Sequence, residues 1–244
     1  MALPARILNM SKHRATPILC YVTGRRSLPG PAVSRDAGSI APLIASIERA
    51  IAAGADWIQV REKDLEARPL EALVRRAVEI SNGRARILVN DRLDVALAAG
   101  AAGVHLGETS LPVAHVTAWR NAAGRPEFTT GFSCHSAEAV RAAERAGADY
   151  AFFGPVFATP SKSSFGPPQG LESLTGVCRG ARIPVLAIGG ITESNAAACL
   201  AAGAAGIAAI RMFQEEADLA GIVSRLHALE SAGTENNFSG ENSR

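Results

Sequence analysis

The chain lacks several features that would place it in a narrow class of proteins. Its four cysteines form neither a CxxC pair nor a Cys/His metal spacing, so we expect small buried thiols in a reducing cytoplasm. The formal net charge is only +2, so the overall charge gives no indication of a nucleic acid partner. No apolar run reaches membrane-spanning length, and the start of the chain lacks the hydrophobic core of a signal peptide. These absences favour a cytoplasmic protein that binds neither nucleic acid nor a membrane.

The length and bulk composition fit one domain. The chain has 244 residues, of which 48% are hydrophobic, enough for one large core. We predict a domain over residues 17–230 between flexible tails at 1–16 and 231–244, the second of which is polar and contains glycine. The sequence does not fix the oligomeric state, and a homo-oligomer is compatible with it.

A short phrase occurs four times: a Gly-Ala pair at the end of a helix-like run, followed at once by a strand. Its glycines are Gly54, Gly100, Gly147 and Gly203. A glycine at a helix C-terminus adopts the left-handed conformation that ends the helix. Each interval has room for two strand–helix units, so eight strands alternate with helices. We therefore predict an α/β fold, a single (β/α)8 TIM barrel, with its active site at the C-terminal ends of the strands.

The helical periodicity predicts eight helices, and long loops separate some of them. The helices are expected at Ile40–Ala53, Arg68–Asn82, Leu93–Ala99, Pro112–Ala122, Ala137–Ala146, Gly170–Arg179, Ser194–Ala202 and Glu215–Leu229. The stretch from Pro155 to Gln169 contains four prolines. A loop of this length in a compact domain is usually functional.

Charged and amide side chains follow the second strand. Gln59, Arg61 and Lys63 share one parity, so they would approach the barrel mouth from the same side. Two cations and an amide there suit a polyanion such as pyrophosphate. The alternative is a solvated turn with Arg-Glu and Lys-Asp pairs. Glu62 and Asp64 have the other parity and fit a solvent or structural role.

Asn90 and Asp91 follow the third strand. An Asp at this position is by default a cap for the next helix. An Asp that faces the mouth beside Arg61 and Lys63 could instead hold Mg2+ on phosphate oxygens. Because magnesium usually takes one or two protein carboxylates, one Asp would suffice.

Two hydroxyls and a histidine lie after the fifth strand. Ser133 and His135 share a parity and could face a ligand, while Ser136 resembles a helix cap. A histidine in such a position is more often a packed or capping residue than a catalyst. His105, at the end of the fourth strand, fits a satisfied interior residue.

The sixth and seventh strands lead into groups suited to anions. Thr159, Ser161 and Lys162 lie on the long loop and have the makings of a lid that closes on an anion; the alternative is an ordinary mobile loop. Gly189 and Gly190 end the seventh strand and expose backbone N–H groups. In barrels, the loops after strands seven and eight commonly form a phosphate site.

Taken together and in order, these motifs resemble the superfamily of thiamine phosphate synthases and thiazole tautomerase-like proteins. The resemblance runs from about Cys20 to about Leu229. It rests on the segments 59–64 (QVREKD), 89–92 (VNDR), 103–107 (GVHLG), 154–157 (GPVF) with 159–162 (TPSK), and 187–191 (AIGGI).

The resemblance implies a transferase that joins hydroxymethylpyrimidine pyrophosphate to hydroxyethylthiazole phosphate and releases pyrophosphate, with Mg2+. The implied catalytic residues are Arg61, Lys63, Lys162 and His135, with Asp91 as the metal ligand. Gln59 and Asn90 would hold the pyrimidine pyrophosphate beside Arg61 and Lys63, and Ser133 would complete the clamp with Lys162. The implied thiazole phosphate contacts are Thr159, Ser161, Gly189, Gly190 and Arg211.

Two positions depart from the pattern of a synthase. Ser110 stands where the family usually has a second magnesium-binding Asp. Glu108, two residues earlier, is the candidate that would have to substitute for it. Arg211 stands where the eighth strand usually ends in a serine; it would bind the thiazole phosphate more strongly or fill its site.

Two alternatives therefore stay open. A tautomerase-like enzyme would isomerise a carboxythiazole phosphate with His135 and no metal, and a non-catalytic relative would bind the phosphate ligands alone. Retention of Asp91 and of the Gln-Arg-Lys set favours the synthase.

Overall fold

The computed structural model describes residues 16–29, 40–159 and 167–229. Apart from Thr16, both predicted tails lie outside these residues, as do Ser161 and Lys162 of the predicted lid. The predicted bounds of the domain stay a prediction.

Eight parallel strands close into a barrel. They are β1 Ile18–Val22, β2 Trp57–Val60, β3 Arg86–Asn90, β4 Gly103–Leu106, β5 Thr129–Cys134, β6 Tyr150–Phe153, β7 Val185–Ile188 and β8 Gly206–Ala209. Each strand pairs with its neighbour in sequence, and β1 also pairs with β8, Ile18 opposite Gly206. The predicted (β/α)8 barrel is confirmed.

Helices connect the strands and cover the outside of the barrel. They are α1 Ala41–Ala52, α2 Ala67–Ser81, α3 Leu93–Ala98, α4 Val113–Ala122, α5 Ala137–Arg145, α6 Gly170–Gly180, α7 Glu193–Ala201, α8 Arg211–Glu215 and α9 Leu219–His227. The glycines of the repeated phrase follow α1, α3, α5 and α7 with φ between +71° and +98°, as the repeat predicts.

The last predicted helix, Glu215–Leu229, is wrong at its start. A short helix, α8, ends at Glu215, and Glu216 is extended. The side chain of Asp218 then accepts a hydrogen bond from the backbone N–H of Gly221 and begins α9. The apolar periodicity comes from α9 alone, so it did not show the break.

The barrel interior is filled by side chains. Trp57, Tyr150, Phe152 and Leu186 pack there with apolar residues of β1, so the interior is a packed core and not a channel. All four cysteines are free thiols, and three are buried as predicted, whereas Cys178 is only partly buried. Burial raises the pKa of the Cys134 thiol to about 12. Among the described residues, no helix is both long and apolar enough to cross a membrane.

Candidate functional site

A chain of hydrogen bonds links the ends of β2 and β3 at the barrel mouth. Gln59 is 2% exposed, and its Nε2 donates to Oδ1 of Asn90 at 3.0 Å. Asn90 Nδ2 in turn donates to Oδ2 of Asp91 at 2.6 Å. The two strands end side by side, with Leu88 opposite Gln59, which brings these side chains together.

Asp91 is the centre of this arrangement. Its backbone is left-handed, with φ +62°, which is uncommon for a residue other than glycine and clusters at functional sites. Oδ2 lies 3.8 Å from Nζ of Lys63, and Oδ1 accepts a hydrogen bond from the hydroxyl of Ser110. Ser110, which replaces the second magnesium-binding Asp usual in the resembled family, therefore contacts Asp91, the predicted metal ligand.

The alternative interpretation of Asp91 as a helix cap is wrong. Arg92 is the N-cap residue of α3, and no side chain caps that helix. The carboxylate of Asp91 instead meets Lys63 and Ser110, and it remains about one-third exposed.

The alternative of a solvated charged turn after β2 holds for the exposed Lys63 and Asp64 but not for Glu62. Glu62 is 5% exposed, and its carboxylate accepts hydrogen bonds from the Thr23 hydroxyl at 2.7 Å and the Arg25 backbone N–H at 3.1 Å. Asp64 pairs with the buried guanidinium of Arg25 at 2.7 Å. Burial raises the pKa of Glu62, and the hydrogen bonds from Thr23 and Arg25 oppose this shift. Lys63 is left pointing towards Asp91.

Sequence reasoning missed Thr23 and Arg25. The Thr23 hydroxyl also accepts a hydrogen bond of 2.9 Å from the backbone N–H of Arg61. The loop after β1 therefore fixes the backbone that carries Arg61 and Lys63. Arg25 is 1% exposed, and a fully buried arginine within a Gly- and Ser-containing loop leaves no recognisable signal in the sequence.

Ser133 and His135 occupy different surroundings at the end of β5. The hydroxyl of Ser133 lies 2.9 Å from Nε2 of His105, which is 1% exposed and satisfied inside the barrel, as predicted. Nδ1 of His135 lies at hydrogen-bond distance from the carbonyl oxygen of Gly154. Because a carbonyl only accepts, Nδ1 carries the proton in the neutral ring and Nε2 is left as an acceptor.

The loops after β6 and β7 pack directly on each other. Phe157 donates its backbone N–H to the carbonyl of Gly189 at 3.0 Å. Gly189 and Gly190 have φ of +92° and +69°, and a Cβ on either would approach Pro155 or Phe157 within 2.7 Å. Within the described residues, neither glycine N–H has a hydrogen-bond acceptor. Thr159 is half-buried at the edge of the described part of this loop.

The two remaining residues of interest are exposed. Arg211 begins α8 directly after β8, which places it on the same face of the barrel as the other strand ends. Glu108 lies in the loop after β4, two residues before Ser110.

A cavity of about 200 Å³ opens beside Asp91. Its lining is Glu62, Lys63, Leu65, Leu70, Asn90, Asp91 and Arg92. Among the described residues, no group of three or more His, Cys, Asp or Glu side chains could hold a metal ion. One partly exposed carboxylate beside a cavity fits magnesium as it is usually bound, by one or two carboxylates together with phosphate oxygens and water.

Comparisons with known proteins decide the family. The sequence model described as "Thiamine monophosphate synthase" matches residues 32–213. The chain belongs to the thiamine monophosphate synthase family. The matched range includes every residue of the site from Gln59 to Arg211, so the family resemblance covers the strand ends described above.

Relatives within the family are similar over most of their length. The thiamine-phosphate synthase of Anaeromyxobacter dehalogenans is 43% identical over 190 residues, 78% of this chain and 84% of that protein. The thiamine-phosphate synthase of Moorella thermoacetica is 42% identical over 186 residues, 76% and 87% of the two chains.

Solved structures agree with the family and the fold. Thiamine phosphate pyrophosphorylase from Pyrococcus furiosus is 31% identical, with a TM-score of 0.71 over 89% of this chain and 95% of that one. The 3-hexulose-6-phosphate synthase of Salmonella typhimurium has a TM-score of 0.63 over 86% and 97% of the two chains. It is only 16% identical, so this second likeness concerns the barrel fold alone.

Proposed function

We propose that the chain is a thiamine-phosphate synthase. It condenses hydroxymethylpyrimidine pyrophosphate with hydroxyethylthiazole phosphate to give thiamine phosphate and pyrophosphate. The observation that carries this proposal is the cluster of Gln59, Asn90, Asp91 and Lys63 at the barrel mouth. Family membership and relatives named thiamine-phosphate synthase support the same activity.

The reaction is a substitution at the pyrimidine methylene carbon. The carbon–oxygen bond breaks with its electron pair on the departing pyrophosphate, and the lone pair of the thiazole nitrogen forms the new carbon–nitrogen bond. That nitrogen carries no proton, so no general base is required. The difficulty is negative charge on the leaving group, which preorganised cations and hydrogen-bond donors stabilise.

The groups after β2 and β3 bind the leaving group in this proposal. Lys63 and the half-buried Arg61 supply positive charge, and the loop below them is fixed through Thr23 and Glu62. Gln59 and Asn90 hold the pyrimidine pyrophosphate from inside the barrel. The buried Oε1 of Gln59 has no partner among the described residues, which leaves an acceptor for a donor group of the ligand.

Asp91 would hold Mg2+ together with pyrophosphate oxygens. The bound ion would supply additional positive charge to the leaving group. Asp91 fits this role because its carboxylate is partly exposed on the cavity and lies beside Lys63. In the absence of the ion, the Ser110 hydroxyl and the Asn90 amide keep the carboxylate oriented.

The opposite side of the mouth receives the thiazole phosphate. The backbone N–H groups of Gly189 and Gly190 are available to an anion, and Arg211 adds positive charge at the end of β8. Thr159 and Ser161 would bind the same phosphate. Lys162 would complete the pyrophosphate clamp with Ser133.

A tautomerase-like activity is the second candidate, and the hydrogen bond of His135 is compatible with it. Its Nδ1 lies at hydrogen-bond distance from the Gly154 carbonyl, so in the neutral ring Nε2 is the nitrogen that can accept a proton. In this reading His135 would move a proton on a carboxythiazole phosphate.

Product formation with both synthase substrates tests the proposal, with and without magnesium. Wild type should form thiamine phosphate only with magnesium. Asp91→Asn should lower kcat/KM about a hundredfold or more, the usual loss for one preorganised electrostatic contact. Asp94→Asn is the matched control, because this exposed carboxylate pairs with Arg92.

Two other outcomes contradict the synthase. Isomerisation of carboxythiazole phosphate without condensation, lost in His135→Ala, would establish the tautomerase. Binding of the pyrimidine pyrophosphate without any turnover would establish a non-catalytic relative. A cytoplasmic location belongs to the same proposal, since the four free thiols suit a reducing compartment.

A further inference from the structure

Three side chains form a hydrogen-bonded line through the barrel interior, from the mouth inwards. The Ser133 hydroxyl on β5 lies 2.9 Å from Nε2 of His105 on β4. Nδ1 of the same ring lies 2.8 Å from the phenol oxygen of Tyr150 on β6. His105 and Tyr150 are 1% and 0% exposed, whereas Ser133 is half-buried at the mouth.

Tyr150 sets the direction of the hydrogen bonds. Burial raises the pKa of the phenol well above its ordinary value, so the oxygen keeps its proton at neutral pH. Among the described residues, the acceptor at hydrogen-bond distance from this oxygen is Nδ1 of His105. The phenol therefore donates to Nδ1, and the proton of the neutral imidazole is on Nε2.

The tautomer of His105 in turn determines the hydrogen bond that Ser133 makes. Since Nε2 carries the proton, it donates to the Ser133 oxygen, and the proton of Ser133 points elsewhere. With the other tautomer, the serine would donate inwards and present only lone pairs to the mouth. Pyrophosphate oxygens accept hydrogen bonds, so only the first arrangement attracts them.

We propose that His105 and Tyr150 are positioning residues that make the Ser133 hydroxyl a hydrogen-bond donor to an oxygen of the pyrophosphate substrate. This inference rests on the proposed function for its ligand. The order of the protons is a property of the unliganded chain and can be tested without any substrate.

The surrounding packing holds the rings in place. A Cβ on Gly131 would lie 2.1 Å from Cζ of Tyr150, so the absence of a side chain at position 131 makes room for the phenol. The ring of Tyr150 packs edge-on against Trp57 with centroids 4.8 Å apart, and Phe152 contacts His105 at 4.2 Å. The hydrogen-bonded line of Ser133, His105 and Tyr150 therefore has little freedom to rearrange.

The first test is the tautomer of His105 in the full chain. Long-range 1H–15N NMR spectra of protein labelled at histidine distinguish protonated from unprotonated ring nitrogens, and His105→Gln assigns the signals by their loss. We expect a protonated Nε2 and an unprotonated Nδ1. A proton on Nδ1, in either the other neutral tautomer or an imidazolium, would overturn the proposed order of donors from Tyr150 through His105 to Ser133.

The second test is binding of inorganic pyrophosphate with magnesium, measured by calorimetry. Tyr150→Phe removes the donor to Nδ1 while it keeps the ring. It should weaken binding about tenfold, as should Ser133→Ala, since a hydrogen bond to a charged group is lost in both. The double variant should be little weaker than either single variant, because both act through one hydroxyl.

Tyr21→Phe is the matched control. It removes another buried phenol oxygen, which bonds to Ser46 and Gln214 outside the barrel interior. It should leave pyrophosphate affinity unchanged. Equal affinity of Tyr150→Phe and wild type, or additive losses in the double variant, would overturn the inference. A wild-type chain with the expected tautomer that binds no pyrophosphate would support the proton order but overturn pyrophosphate as the ligand and the proposed function with it.

Discussion

The hydroxyl of Thr23, just after β1, donates a hydrogen bond of 2.7 Å to the Glu62 carboxylate, just after β2. The same hydroxyl oxygen accepts the backbone N–H of Arg61 at 2.9 Å. Glu62 also accepts the backbone N–H of Arg25. The buried carboxylate of Glu62, between Arg61 and Lys63 in the sequence, therefore connects the loop after β1 to the loop after β2. Its burial has an electrostatic cost, because a charged carboxylate is less stable away from water.

That cost predicts a pH dependence of stability that Glu62→Gln removes. Burial raises the pKa of Glu62 above its ordinary value of 4.5 in the folded chain. The folded state therefore holds this proton to higher pH than the unfolded state. The stabilisation from this group is complete below pH 4.5 and is lost as the pH rises through the folded pKa. The free energy of unfolding of wild type should therefore fall relative to Glu62→Gln from pH 4.5 to 7.5.

Chemical denaturation at several pH values measures this difference. Glu79→Gln on α2 controls for the loss of one negative charge, because its carboxylate is more than half exposed. If the free energy of unfolding of wild type instead rises with pH relative to that of Glu62→Gln, then Thr23 and Arg25 hold the pKa of Glu62 below its ordinary value.

Strand-end parity explains why much of the site could be predicted from the sequence. Gln59, Asn90 and Ser133 are the last or next-to-last residues of parallel strands, so closure of the barrel brings them to one face independently of the loops. The contacts of Thr23 and Arg25 could not be predicted in this way, because they depend on how two irregular loops pack. The left-handed backbone of Asp91 has no sequence signal either, and without it a cap was the default interpretation.

A pair of glycine substitutions tests the packing behind the site. Gly131→Ala should destabilise the chain by about 1–3 kcal/mol or more, because the new Cβ would collide with the Tyr150 ring. Gly176→Ala, inside α6, meets nothing within 4 Å and should stabilise by up to about 1 kcal/mol through helix propensity. Thermal and denaturant unfolding compare the two. A neutral Gly131→Ala would mean that the Tyr150 ring moves aside readily.

The buried ion pair between Arg120 and Asp149 lies away from the mouth, so its removal should change the stability of the barrel and not the site itself. Nη1 of Arg120 lies 2.5 Å from Oδ2 of Asp149, and the two side chains are 8% and 5% exposed. The same carboxylate oxygen accepts the backbone N–H of Thr130 at 2.7 Å, which joins β5 to the start of β6. Burial raises the pKa of Asp149, and the charge of Arg120 opposes that shift.

Removal of Arg120 should leave the buried Asp149 carboxylate without its hydrogen-bonded counter-charge. The weaker effect of the Arg86 charge then remains to oppose the cost of burial. Arg120→Met should therefore lower the free energy of unfolding by about 3–5 kcal/mol at neutral pH. The loss should shrink as the pH falls, because Asp149 then binds a proton and no longer needs the cation. Arg125→Met removes an exposed arginine that pairs with Glu127 and should cost no more than about 1 kcal/mol. Denaturant unfolding at pH 7.5 and pH 5 compares them, and equal losses in both variants would mean that the buried pair contributes no more than a surface one.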